Sequence, residues 1–119
     1  MADVAFLTPE DEQRVVDAIR LAEKATTGEI RVHIERRCRR EPLEQAKHVF
    51  ARLGMHRTRQ RNGVLLYIAH KDRKAAIFGD EGIAEKVGED FWESEFTTLQ
   101  AHFKRGDYAD GIEQVVGDM

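Results

Sequence analysis

The chain has 119 residues, 41% hydrophobic and 34% charged, with a formal net charge of -3. That length makes one domain, long enough to bury a core without disulfide or metal staples. The charge argues against nucleic acid as a partner, no apolar run approaches the roughly 20 residues of a membrane helix, and a lone Cys38 makes no internal disulfide.

Thr8-Pro9-Glu10-Asp11 reads as a helix start, with a Thr cap, Pro at the first position and acids in the first turn. Val15, Ile19 and Ala22 then form one buried stripe, and Gly28 is expected to end that helix. Ile30, Val32 and Ile34 alternate with Arg31, His33 and Glu35, which predicts a half-buried strand. Pro42 opens a second helix with Leu43, Ala46, Phe50 and Leu53 on one face, and Gly54 stops it. Val64 to Ala69 is a continuous apolar run, predicting a central strand covered on both faces.

His70 to Lys74 is a polar turn, and Ala75 to Phe78 a third strand. Ile83 to Val87 reads as a short helical turn before Gly88. Trp92, Phe96, Leu99 and Phe103 then recur at helical spacing, a stripe expected in the core, and Gly106 closes that helix. Asp107 opens a last helix carrying Ile112, Val115 and Val116.

The expected fold is α/β: a single-domain sandwich over 1–119, its central mixed sheet of at least three strands flanked by helices. Strands 1 and 2, joined by a helix, should be parallel; strands 2 and 3, joined by about five residues, should form an antiparallel hairpin. One edge of the sheet then collects Thr27, Gly28, Glu29, Arg61, Asn62, Gly63, Gly79, Asp80, Glu81 and Gly82. The opposite edge collects Arg36, Arg37, Arg39, Arg40, His70, Lys71, Arg73 and Lys74.

Each edge suggests a site. Asp80 and Glu81, with the Asn62 side-chain oxygen and Glu29 beside them, are the ligand types of a hard cation, Ca²⁺ or Mg²⁺. The alternative is that Asp80 caps the following turn, that Glu29 is a solvated strand start and that the glycines serve turn geometry. Arg36, Arg37, Arg39 and Arg40, with Lys71, Arg73 and Lys74, suit an anion, an acidic partner or an anionic membrane surface; the alternative is a solvated charged loop. Cys38 among the arginines is read as an incidental thiol. The five histidines show no zinc spacing, and the chain carries neither a Cys-x5-Arg loop nor a Gly-rich phosphate loop.

The motifs Thr27-Gly28-Glu29-Ile30-Arg31-Val32, Phe50-x-x-Leu53-Gly54-Met55, Arg61-Asn62-Gly63-Val64-Leu65, Gly79-Asp80-x-Gly82-Ile83 and Phe103-Lys104-x-Gly106-Asp107-Tyr108 occur in this order. Together they resemble the TPM domain family, over residues 5–116. The resemblance implies an α/β sandwich. It also implies loose functional associations: acid-phosphatase activity, divalent-cation binding and photosystem II repair in plant members, and receptor modulation in an animal one. Many bacterial members are exported and carry a membrane helix and a Gly-rich tail. This chain as given shows no signal peptide, and the expectation is a cytoplasmic protein. The leading expectation is a binding or adaptor module with a weak divalent-cation site and a protein or membrane-protein partner. The alternatives are a metal-dependent phosphatase acting on phosphomonoesters and a docking module for acidic partners.

Overall fold

The computed structural model describes residues 7–25 and 28–118, so Thr27 lies outside the described residues. Thr8 caps the first helix, α1 (Pro9–Glu23): its hydroxyl accepts from the Asp11 N–H and the Asp11 carboxylate accepts from the Thr8 N–H. The helix ends at Glu23 with Lys24 as its cap, so Gly28 does not terminate it. The Glu23 carboxylate instead accepts the Ile30 N–H at 2.9 Å and ties α1 to the first strand, β1 (Ile30–Glu35).

Pro42 and the Glu41 carboxylate start α2 (Pro42–Arg52), and Gly54, at φ 72, carries the left-handed turn that ends it. A short 3-10 turn (Met55–Arg57) leads to β2 (Val64–Ala69) and the hairpin strand β3 (Lys74–Gly79). The remaining chain is helical: α3 (Glu81–Lys104) and α4 (Tyr108–Asp118). The expected short turn before Gly88 and the helix after it are one helix of 24 residues. An interior glycine costs about 1 kcal/mol relative to alanine, too little to end a helix whose turns pack on β3 and α4.

The sheet order is β1-β2-β3, parallel between β1 and β2 and antiparallel between β2 and β3. Every residue of β2 is buried, as a strand covered on both faces must be. On one face Leu65, Tyr67 and Ala69 pack with Ala46, Val49 and Phe50 of α2. On the other, Leu66 and Ile68 pack with Val15 of α1, Leu99 of α3 and Ile112 and Val115 of α4. The result is an α/β sandwich with one helix on one face and three on the other. Arg14 of α1 bridges to Asp110 and Glu113 of α4, pinning the outer helices to each other.

Candidate functional site

The register puts Glu29, Gly63 and Asp80 side by side at one end of the sheet. Backbone hydrogen bonds join them: Val64 N–H to Glu29 O at 2.8 Å, Asp80 N–H to Gly63 O at 2.9 Å, and Gly82 N–H to Arg61 O at 2.7 Å. The glycines here have ordinary φ angles, so turn geometry does not require them. They permit close approach instead. A Cβ at Gly82 would run into the Gln60 and Arg61 carbonyls, and one at Gly28 into the Asn62 carbonyl.

Asp80 is 4% exposed and does two jobs. It caps α3, accepting the Glu81 N–H at 2.8 Å. It also receives a two-pronged ion pair from Arg61, Nε to Oδ2 at 2.8 Å and Nη2 to Oδ1 at 3.0 Å. Burial acts to raise the Asp80 pKa, but the Arg61 hydrogen bonds and the cap outweigh it and hold the carboxyl below its usual range. Arg61 reaches Glu81 as well, Nη1 to Oε1 at 3.3 Å. Glu29 pairs with Arg31 at 2.8 Å, and Asn62 is buried beside Gly28. The four residues expected to hold a cation are thus brought to one edge. In this arrangement Arg61 stands on Asp80 and Glu81, and among the described residues no group of three or more His, Cys, Asp or Glu converges on a common point.

The opposite end is basic. The His70 N–H donates to Glu35 O and the Lys71 N–H to Arg36 O, holding the hairpin against the end of β1. Asp72 then pins the arginine loop: one oxygen accepts from Arg37 at 2.9 Å, the other from the Cys38 N–H at 2.8 Å. That backbone bond is the first cause of the lowered Asp72 pKa. Cys38 is buried, and its thiol donates to the Arg40 carbonyl at 3.1 Å. It is a core residue that anchors the loop, not a thiol exposed among arginines. Arg36, Arg39 and Arg40 stand exposed on this pinned turn, near Lys71, Arg73 and Lys74 of the hairpin.

Two features of this end escape a reading of the sequence. The first is a cavity of about 830 Å³ between the hairpin and the junction of α3 with α4. It brings Lys104 and Arg105 to the basic end, about thirty residues from Arg73 in sequence. Gly106, at φ 80, was the available signal, since it marks where the chain turns back. The second is a polar network under β1. The Tyr67 hydroxyl donates to Glu35 Oε2 at 2.6 Å, His33 Nε2 lies 3.0 Å from Glu35 Oε1, and the His33 ring stacks on Tyr67. Burial pushes the Glu35 carboxyl up, and the Tyr67 and His33 hydrogen bonds outweigh it and draw it down. The signal was a tyrosine inside an otherwise apolar central strand, which needs a partner for its hydroxyl.

The fold has counterparts. The chain superposes on the NMR structure of the BA42 protein from the psychrophilic bacterium Bizionia argentinensis with a TM-score of 0.88 and 42% identity, covering 98% of this chain and 81% of that one. It is similar in fold to the N-terminal domain of the cg2496 protein from Corynebacterium glutamicum, with a TM-score of 0.74, 12% identity, and 93% and 70% of the two chains covered. No curated protein matches it. The TPM domain spans residues 1–119, the whole sequence, and the chain belongs to the TPM domain family.

Proposed function

We propose that the chain is a binding module that docks an acidic protein segment on its basic end. The observation that carries this reading is the segregation of charge. The chain has more acids than Lys and Arg, 22 against 19, yet Arg36, Arg37, Arg39, Arg40, Lys71, Arg73 and Lys74 gather at one end of the sheet. The loop that carries the arginines is pinned by Asp72 and Cys38, so docking orders little additional backbone. Such a surface favours fast, salt-sensitive association. The test is titration of the full chain with poly-L-glutamate across a range of salt. Arg36→Gln, Arg39→Gln and Arg40→Gln together should weaken binding and flatten its salt dependence. Unchanged affinity in the triple variant, or binding to anionic vesicles but not to poly-glutamate, would contradict the reading.

A second reading places a divalent cation, Ca²⁺ or Mg²⁺, at the opposite edge. Its support is the gathering of Glu29, Asp80 and Glu81 there. The Arg61 guanidinium stands where such a cation would bind Asp80, so a cation enters by displacing it. Phosphomonoester hydrolysis belongs to this second reading, because it would need a metal-activated water and the carboxylates that could hold the metal, Glu29, Asp80 and Glu81, lie at this edge.

A further inference from the structure

The cavity at the basic end has a composition that the docking reading does not use. Its floor is apolar: Ile68 and Leu99 are almost fully buried, and Phe103 stacks edge-on against Tyr108 with ring centroids 5.3 Å apart. Its mouth is cationic, with Arg73 and Lys74 on the hairpin side and Lys104 and Arg105 on the helical side. None of the described residues lining it is acidic, although acids outnumber Lys and Arg in the whole chain. Arg105 is partly neutralised by Asp107 at 3.3 Å, and Lys74 donates to the Cys38 carbonyl. Arg73 and Lys104 have no ion-pair partner among the described residues. Arg73 also sits at φ 54, a left-handed conformation that costs a side-chain-bearing residue roughly 1 kcal/mol and that glycine adopts freely. The turn itself therefore does not call for an arginine.

We propose that this cleft binds a single-chain acyl carboxylate, with its head between Arg73 and Lys104 and its chain along Phe96 and Phe103. The volume lies within the roughly 300–1,000 Å³ of small-molecule sites. Both halves of the ligand have a counterpart in the lining: the exposed cations Arg73 and Lys104 for the carboxylate, and the partly buried rings of Phe96 and Phe103 for the chain. The apolar surface is concave, so it takes a chain out of water and offers no protrusion for insertion into a bilayer. The inference goes beyond the docking reading. It shares Arg73 and Lys74 with that surface but not the arginine loop, and it holds or fails separately.

The test uses the full ¹⁵N-labelled chain, titrated in parallel with decanoate, decanol, inorganic phosphate and phosphatidylglycerol vesicles. Decanoate should shift amide signals on both walls, over 68–75 and 96–108, and bind more tightly than decanol or phosphate. Arg73→Gly suits the backbone at φ 54 and keeps the fold, which a thermal melt checks. Arg73→Gly and Lys104→Gln should each weaken decanoate binding about tenfold, the usual effect of losing one charged hydrogen-bond partner. Equal affinity for decanol, the same shifts with phosphate alone, binding to vesicles without binding to decanoate, or no shifts at all would each overturn the proposal. Loss of decanoate binding with poly-glutamate binding retained would leave the docking reading standing alone.

Discussion

Arg61 and Asp80 decide what the acidic edge can do. Asp80 is buried and ionised, and Arg61 is its chief charge partner. Arg61→Ala leaves that carboxylate uncompensated and should cost about 2–4 kcal/mol, less than a fully buried pair because the arginine is half exposed. Millimolar Ca²⁺ or Mg²⁺ should restore part of the loss in denaturant melts if a cation takes the place of the guanidinium; a melt insensitive to either ion removes the cation reading. Glu95 of α3 behaves in the opposite way. It is buried, its Oε2 has no hydrogen-bond partner among the described residues, and burial and then Asp118 push its pKa up to about 7. The folded state therefore holds a proton that the unfolded chain releases. The stabilisation is complete below the ordinary Glu value of 4.5 and is lost as pH rises through about 7. Glu95→Gln should flatten this dependence and raise stability at pH 8 by about 1–3 kcal/mol, the cost of the buried unmatched charge. A variant as pH-sensitive as the parent between pH 5 and 8 would show that Glu95 is not the group responsible.

At the scale of elements, α3 carries the stripe Trp92, Phe96, Leu99 and Phe103, and the four residues are not equivalent. Leu99 is fully buried against the sheet and α4. Trp92 and Phe96 are only partly buried and line a shallow groove beside β3, with the Trp92 ring lying close over Gly79. Helical spacing in the sequence marks one face but does not say how far along that face the sheet extends. A strand of six residues spans about 20 Å, while 24 helical residues span about 36 Å, so part of the helix overhangs. Leu99→Ala should then cost about 2–5 kcal/mol, and Trp92→Ala clearly less, despite the larger side chain removed. Equal losses in denaturant melts would mean that Trp92 is as deep in the core as Leu99. The glycines show the same limit of pattern reading. Gly54 and Gly106 end helices in the left-handed conformation, as their positions suggest. Gly28 and Gly82 instead let the segment before β1 and the first turn of α3 approach the loop at 60–62, which only the tertiary structure reveals.

Across the whole molecule, the parallel and antiparallel pairings followed from connection lengths alone. The pairings in turn placed the acidic and the basic residues at opposite ends of the sheet. What the sequence could not show was contact at long range. Arg61 covers Asp80 from nineteen residues away, Asp72 pins Cys38 across thirty-four, and Lys104 reaches the mouth of a cavity opposite Arg73. Local periodicity carries no record of such pairs. The two ends lie about 17–20 Å apart across the strands, beyond the Debye length of about 8 Å at physiological salt, so charge at one end is largely screened from the other. The most direct test of the account is an amide-shift map of the ¹⁵N-labelled chain titrated with poly-L-glutamate at low salt. The account predicts shifts at 36–40 and 70–74 that reverse at high salt, with 28–29, 61–63 and 79–82 unmoved. Shifts confined to that second set would place the docking surface at the wrong end of the sheet and contradict it.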